Sequence, residues 1–173
     1  MRLQAEMLRH ECDFIGCHEL RIDETLERIG AFRFPLDASR ALRERPGHAL
    51  LHPTGMIRRE SFFLVGGLST DQRFANDTQF LYRCYFHLKI RNADDFLYMR
   101  RRHAESLTEH PITGMTNPLR YELDGAWRRD FEAVKDNRLE LEASSLRQMV
   151  RIQPFKIAPV RVTRRGGQRA KKL

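Results

Sequence analysis

The sequence predicts an α/β fold in which a mixed sheet is flanked by helices. Apolar residues at helical spacing indicate two helices, one opening at Asn76-Asp77 and one running from Leu119 to about Asn137. Strands are indicated by loosely alternating apolar residues from Asp13 to Asp23 and by the apolar run from Phe96 to Met99. Strands that alternate with helices along a chain favour the α/β class.

Shorter elements fill the chain between these. Met1 to Glu11 predicts a helix because three apolar side chains share one face, and Ala38 to Arg43 predicts a short one. Ala49 to Leu51 and Thr54 to Ile57 are predicted strands, separated by a proline. Arg59 to Leu64 predicts a helix that stops at the Gly-Gly pair behind it, because glycine tolerates the left-handed position that follows many helices.

The C-terminal part predicts helices and then a tail. One face of the helix from Leu119 carries the apolar residues Leu123, Trp127, Phe131 and Val134. Leu139 to Val150 is predicted to be helical as well. Beyond it, prolines and a glycine pair interrupt any regular pattern, so residues 151–173 are predicted to be disordered.

The composition is that of one domain with a basic end. A chain of 173 residues predicts a single domain, and 31 Lys and Arg against 23 Asp and Glu give a formal net charge of +8. Nine of the basic residues lie between Arg147 and Leu173, so the rest of the chain holds 22 basic and 23 acidic residues. Such a tail attracts phosphates, nucleic acid or anionic lipid without specificity, and peripheral membrane contact through it is one expectation. A solvated terminus is the other.

Cysteines and apolar runs indicate the compartment. Three cysteines are an odd and sparse set, which is typical of a reducing environment. No apolar run approaches the roughly 20 residues of a membrane span. Met1 to Glu11 has no apolar core like that of a signal peptide. The expected location is therefore cytoplasmic.

Asp77 is the candidate general base. It stands at a predicted helix start after the polar loop from Thr70 to Ala75, where a side chain can face a cleft. A carboxylate at that place can be ionised at the working pH and accept a proton from a reacting hydroxyl. The alternative is structural: Asn76 or Asp77 is the N-cap of the helix, and spacing alone does not separate the two interpretations.

A basic turn rich in hydroxyl groups is predicted after the strand that ends at Met99. Arginines and hydroxyls suit a diphosphate, which carries two charges and many acceptor oxygens, and a histidine could bind a divalent metal. The residues of this turn are Arg100, Arg101, Arg102, His103, Ser106 and Thr108. The alternative is a solvated turn without a ligand. Zinc is not indicated by the spacing of the other candidates, which are His10, Cys12, Cys17, His18, His48 and His52.

Taken in order, these features resemble the C-terminal half of the family 2 glycosyltransferases of the GT-A fold. The matching segments are TGMIRRESFFLVGGL from Thr54, the Asn76-Asp77 pair at a helix start, and FLYMRRRHAESLT from Phe96. Upstream, RLQAEMLRHECDFIGCHELRIDE from Arg2 is similar to the helix and strand that follow the family's metal-binding D-x-D motif. The resemblance implies a partial, Rossmann-like GT-A domain over residues 1–120, C-terminal helices over 121–150 and the basic tail over 151–173.

The resemblance also implies a reaction and a site. A sugar would pass with inversion from a nucleotide-sugar donor to an acceptor hydroxyl. Asp77 matches the family's catalytic base, and Asn76 stands where the family usually has Glu. His103 matches a group near the metal, which is Mg²⁺ or Mn²⁺ because a hard cation prefers oxygen ligands. The residues that match groups near the donor diphosphate are Arg101, Arg102 and Ser106.

One departure limits the function that the resemblance implies. The chain contains no D-x-D motif, which in the family belongs to the N-terminal nucleotide-binding half. The sequence therefore predicts a fragment of a longer enzyme, inactive alone, that works with a missing N-terminal half. Two other functions stay open: a remnant that does no chemistry, and a small nucleic-acid-binding protein that acts through its tail. Nucleic acid is the less favoured partner, because the body is not basic.

Overall fold

The computed structural model describes residues 1–71, 75–103, 106–110 and 112–149, and it confirms the predicted mixed sheet flanked by helices. In chain order, the helices and strands of these ranges are α1 (Arg2–His10), β1 (Phe14–Ile22), β2 (Arg28–Phe32), α2 (Ala38–Glu44), β3 (Met56–Ile57), α3 (Arg59–Leu64), α4 (Asn76–Tyr85), β4 (Ile90–Arg101) and α5 (Pro118–Lys135). Single turns of 3₁₀ helix occur at His52–Thr54 and Leu141–Ala143. Within the described ranges, no helix is both long and apolar enough to cross a lipid bilayer.

β1 is the central strand of the sheet. Along one edge it pairs in parallel with β4, from Phe14 opposite Ile90 to Ile22 opposite Arg101. Along its other edge, the beginning of β1 pairs with β3 and the end pairs with β2, both antiparallel. Because β1 has neighbours on both edges, its register fixes where the other three strands begin and end.

Helices cover both faces of this sheet. Phe14 points into the larger core, which it shares with Phe80 of α4 and Phe131 of α5. The next residue of the strand, Ile15, points to the opposite face and packs in a smaller cluster with Met7 of α1. The apolar faces predicted for the two longer helices are therefore the buried ones.

The three predicted short helices are confirmed as α1, α2 and α3. α3 ends before Gly66 and Gly67, whose φ angles of 80° and 72° lie in the left-handed region, as the Gly-Gly pair predicted. The wider assignment of residues 1–120 to a partial GT-A domain stays a prediction. The predicted tail at 151–173 lies outside the described residues.

The strand predicted from Ala49 to Leu51 is wrong. The Ala49 carbonyl accepts a hydrogen bond of 2.8 Å from Nδ2 of Asn92, a side chain of β4, so its backbone is satisfied without a ladder. A proline in the turn at His52–Thr54 shortens the next predicted strand to β3 alone. This segment lies in close contact with β1: a Cβ added to Gly16 would be only 2.8 Å from the side chain of Leu50.

Two further differences have physical reasons. β2 was not predicted because most of its residues are exposed, so it carries no apolar alternation. The helix predicted from Leu139 to Val150 is wrong for the described part, which forms turns. The side chains of Gln79 and Arg83 in α4 donate hydrogen bonds to the carbonyls of residues 145–147, which in a helix would accept from the backbone instead.

Candidate functional site

The start of α4 holds Asn76 and Asp77, and neither caps the helix. The N-cap position is occupied by Ala75, whose φ is 62°, and no side chain accepts a capping hydrogen bond there. The predicted N-cap is therefore wrong. Instead, Nδ2 of Asn76 donates to the carbonyl oxygen of Ser69 at 2.8 Å, which ties the preceding segment to the helix. A glutamate at position 76 could not donate this bond, because an ionised carboxylate only accepts.

Asp77 is half-buried in the first turn of α4. Its Oδ1 accepts a hydrogen bond of 3.0 Å from the N–H of Thr78, and with the described residues it forms no ion pair. The first turn of a helix carries a partial positive charge, which attracts a carboxylate. The side chain is therefore held locally while one carboxylate oxygen has no partner in this part of the chain.

Asp77 lines a narrow cleft with two histidines, His48 and His52. The His52 ring packs edge-on against Phe14 and Phe80, with centroid distances of 6.3 and 5.9 Å. Its Nδ1 is buried and has no hydrogen-bond partner among the described residues. The free volume of the cleft is about 10 Å³, which is room for roughly one water molecule and not for a sugar.

The predicted basic turn begins later than its residues suggested. Arg100 and Arg101 are the last two residues of β4, so the prediction of a turn is wrong for them; Arg102 and His103 follow the strand. The strand continues because Arg101 pairs with Ile22 of β1. Backbone pairing with another strand overrides the local preference for a turn.

The side chains around this strand end form two polar groups. In the first, Nη2 of Arg100 donates to Oγ1 of Thr108 at 3.0 Å, and that hydroxyl lies 3.2 Å from Oγ of Ser106. In the second, Arg102 forms an ion pair with Glu109. Arg101 is exposed and forms no ion pair with the described residues.

A broad cleft of about 580 Å³ opens beside His103. Its charged lining contains Asp23, Glu24 and Glu109 but a single arginine, Arg102. Hydrogen bonds from the hydroxyl and backbone of Thr25 and the backbone of Glu27 hold the pKa of Asp23 below its ordinary value. An anionic ligand would meet three carboxylates here, so this cleft by itself does not favour a diphosphate.

The described side chains around His103 do not complete the expected metal site. The ring of His103 makes no hydrogen bond with the described residues. In the described part of the chain, no three His, Cys, Asp or Glu side chains converge on a point where they could hold a metal ion. These residues do not form a complete site for Mg²⁺ or Mn²⁺, and we derive no catalytic step through a metal.

The two predicted halves of the site lie at different ends of β1. Asp77 lines its cleft together with Phe14, the first residue of the strand, whereas Arg102 and His103 line theirs with Asp23, which follows the last. The eight steps from Phe14 to Ile22 span about 26 Å of extended strand. The structure therefore groups the basic residues with one another but not with Asp77.

Sequence reasoning missed two adjacent buried polar residues of β1, His18 and Glu19, which lie on opposite faces of the sheet. The side chain of His18 is almost fully buried; its Nδ1 accepts from the N–H of Phe34 at 3.2 Å, and its Nε2 donates to Asp94 at 3.0 Å. The hydrogen bond from His18, followed by the charge of Arg33, lowers the pKa of Asp94. The signal was available: a histidine and a glutamate at positions 18 and 19 follow four residues, Phe14 to Cys17, that carry no charge.

Glu19, the residue after His18 in β1, is fully buried. Its Oε1 accepts from Nε of Arg21 at 2.5 Å and lies 3.9 Å from Nη1 of Arg100, while Oε2 has no hydrogen-bond partner among the described residues. Arg21 in turn stacks over the ring of Phe32. Glu19 thus positions two arginines at the end of the sheet where the basic residues gather.

A third cleft, of about 570 Å³, is lined by Arg43, His87, Lys89 and Lys135. It lies where α4 and α5 end, and the C-terminal end of a helix carries a partial negative charge. Basic side chains are favoured there without any ligand, so we assign no ligand to this cleft.

No family model and no curated protein matches this chain. What can be assigned to the site therefore rests on the residues and their geometry.

Proposed function

We propose that this chain carries the acceptor side of an inverting glycosyltransferase, with Asp77 as the base that removes the proton of the acceptor hydroxyl. One observation carries the proposal: the Asp77 carboxylate is not used as an N-cap and forms no ion pair with the described residues. The structural alternative for this residue is therefore the less favoured one. The resemblance of the surrounding segments supplies the reaction.

The chemistry requires a base at the acceptor. When a hydroxyl attacks the anomeric carbon of a nucleotide-sugar, it loses its proton as the new bond forms, and a carboxylate within hydrogen-bond reach can take that proton. Asp77 has one oxygen bound to the Thr78 N–H, which fixes the side chain, and a second oxygen for the substrate. Its cleft has to widen before a sugar can enter, because it holds room for about one water molecule.

The diphosphate role is proposed for Arg101 before the other basic residues. Arg101 is exposed and forms no ion pair with the described residues, whereas Arg102 is paired with Glu109 and Ser106 is bonded to Thr108. A guanidinium group neutralises phosphate oxygens through paired hydrogen bonds. Arg101 and Asp77 lie at opposite ends of β1, about 26 Å apart along the strand, so in this structure they cannot contact one substrate at once. The two roles are therefore alternatives for this chain, and each needs a separate test.

The nucleotide and metal would be held by parts of a longer or two-part enzyme, because this chain has no D-x-D motif. Inactive remnant and tail-mediated nucleic-acid binding remain the competing functions, and no observation on the described residues favours either.

The base is tested by measuring release of nucleoside diphosphate from UDP- and GDP-sugars with Mn²⁺. The assay uses this chain and the same chain extended upstream through the neighbouring coding sequence. We expect turnover in the longer form, lowered by Asp77→Asn about 10²- to 10⁴-fold, the usual contribution of a general base. Asp136→Asn, which changes a carboxylate paired with Arg138, should leave the turnover unchanged.

Two outcomes would contradict the proposal. Full turnover in the Asp77→Asn variant would remove Asp77 from the reaction. Absence of turnover and of UDP binding in both forms would end the glycosyltransferase interpretation.

The role of Arg101 is measured separately by titrating UDP and Mn²⁺ in a calorimeter. Arg101→Ala should weaken binding about tenfold, and Arg40→Ala, which alters an exposed pair with Glu44, should not.

A further inference from the structure

Among the described residues, one edge of β4 has no strand partner over most of its length. β4 pairs with β1 along one side. On the other side, backbone pairing with the described residues is confined to its beginning, where Asp37 bridges Arg91 and the N–H of Asn92 donates to Leu36. Further along, Arg33 contacts side chains only: it pairs with Asp94 at 2.7 Å and lies over the ring of Phe96. From Asp94 to Arg101 no described residue pairs with that edge. A free strand edge presents unpaired N–H and C=O groups that another strand can bind.

The side chains of this free stretch are arranged by charge. Asp94 and Phe96 lie on the face of the sheet that carries His18, since both contact its ring. Met99 and Arg101 lie on the same face, because they pair with the residues two and four positions beyond His18 in β1. Along this face of β4 the order is therefore an acidic, an aromatic, an apolar and a basic side chain: Asp94, Phe96, Met99 and Arg101.

A bulge in β4 separates the acidic half of this stretch from the basic half. The pairing of β1 with β4 shifts register twice, between Gly16 and His18 and again between His18 and Glu19, and the second shift adds one residue, Leu97, to β4. The opposite face then carries Asp95, which contacts Arg2 of α1, and Arg100, which contacts Glu19. Both faces therefore have an acid before the bulge and a base after it.

We propose that two copies of this chain associate through the free edges of β4, in antiparallel orientation about a two-fold axis at the bulge. Asp94, which also contacts Arg33 and His18, then lies opposite the partner's Arg101, and Phe96 lies opposite the partner's Met99. This contact would compete with the diphosphate role proposed for Arg101. On the other face Asp95 lies opposite the partner's Arg100. Symmetry repeats each contact, so the surface is self-complementary in charge and in apolar contact.

Three observations favour a second copy over other occupants. From Asp94 to Arg101 the edge has no Pro or Gly that would interrupt a ladder, and the charges that would repel an identical strand in parallel register lie opposite their counter-charges in the antiparallel one. It exposes apolar side chains, with Leu97 48% and Met99 62% accessible. Its charges match only when the strands run antiparallel, because a parallel copy would place acid beside acid. The remaining 150–173 segment of the chain is a poorer strand partner, since Pro154 and Pro159 have no N–H to donate.

The first measurement is the mass of the full chain in solution, by sedimentation over a range of concentrations. We expect a reversible shift from 20.5 kDa to twice that mass, with weaker association at high salt because the paired charges are screened. A chain that stays monomeric at every concentration overturns the proposal, including the case in which another part of the chain covers the edge.

A charge exchange tests the orientation. Asp94→Arg alone places two arginines opposite each other, and Arg101→Asp alone places two aspartates opposite each other, so each variant should self-associate at least about tenfold more weakly. A mixture of the two variants restores both opposite-charge contacts and should form heterodimers. If each single variant dimerises as tightly as the original chain, the antiparallel pairing is wrong.

A third variant avoids the contact between Asp94 and His18. Met99→Lys changes an exposed side chain at the proposed interface and should abolish the dimer without altering the circular dichroism spectrum. Leu64→Lys, at a side chain 67% accessible in α3, is the matched control and should leave the dimer intact. Dimers that survive Met99→Lys, or that are lost equally in both variants, would contradict the assignment of β4.

Discussion

The two ends of β1 have opposite surroundings. At its first residue, Phe14 is packed by the rings of His52 and Phe80, and the space left beside Asp77 is about 10 Å³. At its end, buried Glu19 is surrounded by arginines, and the cleft beside His103 measures about 580 Å³. One strand thus joins a closed aromatic end to an open charged end.

This difference separates stability from binding. Dense apolar packing at the first end stabilises the fold and leaves little room for a ligand without movement. The second end has room, but Arg21, Arg100 and Arg102 are already paired with carboxylates, so a ligand that binds them must compete with existing ion pairs. Arg101 is the exception, since it forms no ion pair with the described residues. Asp77 lies at the end that must open, and the basic residues lie at the end that must exchange partners.

The comparison is tested most strongly at Phe80, whose ring is fully buried against Phe14, His52 and Phe62. Phe80→Ala should lower the free energy of unfolding by about 3–5 kcal/mol, because it removes a ring and leaves a cavity. Phe63→Ala, at a ring 63% accessible, should cost less than about 1 kcal/mol. Denaturant titration followed by circular dichroism measures both, and equal losses would contradict the view that this end holds the fold.

A smaller effect is expected at the charged end. Glu19→Ala leaves Arg21 and Arg100 without their buried carboxylate and should lower the free energy of unfolding by about 2 kcal/mol. The loss is less than for a fully buried pair because both arginines are more than one quarter exposed. Glu44→Ala, which breaks an exposed pair with Arg40, should change stability by less than about 0.5 kcal/mol.

The losses of unfolding free energy in Glu19→Ala and Phe80→Ala show together which end of β1 contributes more to folding. If Glu19→Ala costs as much as Phe80→Ala, the charged end is as important for folding as the aromatic one. Residues there would then be poor candidates for a binding role. If Glu19→Ala costs no more than the Glu44 control, the buried carboxylate contributes little, and its arginines are free to move.

The sequence predicted the elements whose signal is local. β1, α4 and α5 follow from the periodicity of their own apolar residues, and α3 is ended by glycines whose left-handed φ angles are found in the structure. β2 has no such pattern, since four of its five residues are exposed. The turns near residue 146 depend on hydrogen bonds from Arg83, which is 63 positions away in the sequence.

The candidate site was predicted less completely for the same reason. The position of Asp77 at a helix start was correct, but its capping role was wrong because Ala75 adopts the left-handed conformation. Whether Asp77 lies near Arg101 depends on the register of β1 with β4, which two separate segments set together. No spacing within either segment contains that information.

The smallest effect expected is in the pH dependence of stability at Asp94, which contacts the buried His18. The hydrogen bond from His18 and the charge of Arg33 lower the pKa of Asp94 in the folded protein, against an ordinary value of about 3.9. A carboxyl group whose pKa is lowered by folding stabilises the protein above its unfolded pKa, and that contribution is lost as the pH falls through the folded value. Asp94→Asn should therefore be less stable than the original chain at neutral pH.

The two chains should begin to converge in stability as the pH falls below the ordinary value of about 3.9, and they should meet only below the lowered pKa of folded Asp94, where the carboxyl group is protonated in both the folded and the unfolded original chain. Unfolding in urea at several pH values measures this convergence. Asp71→Asn, at an exposed side chain outside β1 and β4, serves as the control and should be as stable as the original chain at every pH. A difference between Asp94→Asn and the original chain that stays constant with pH would mean that the contact with His18 contributes through its shape and not through its charge.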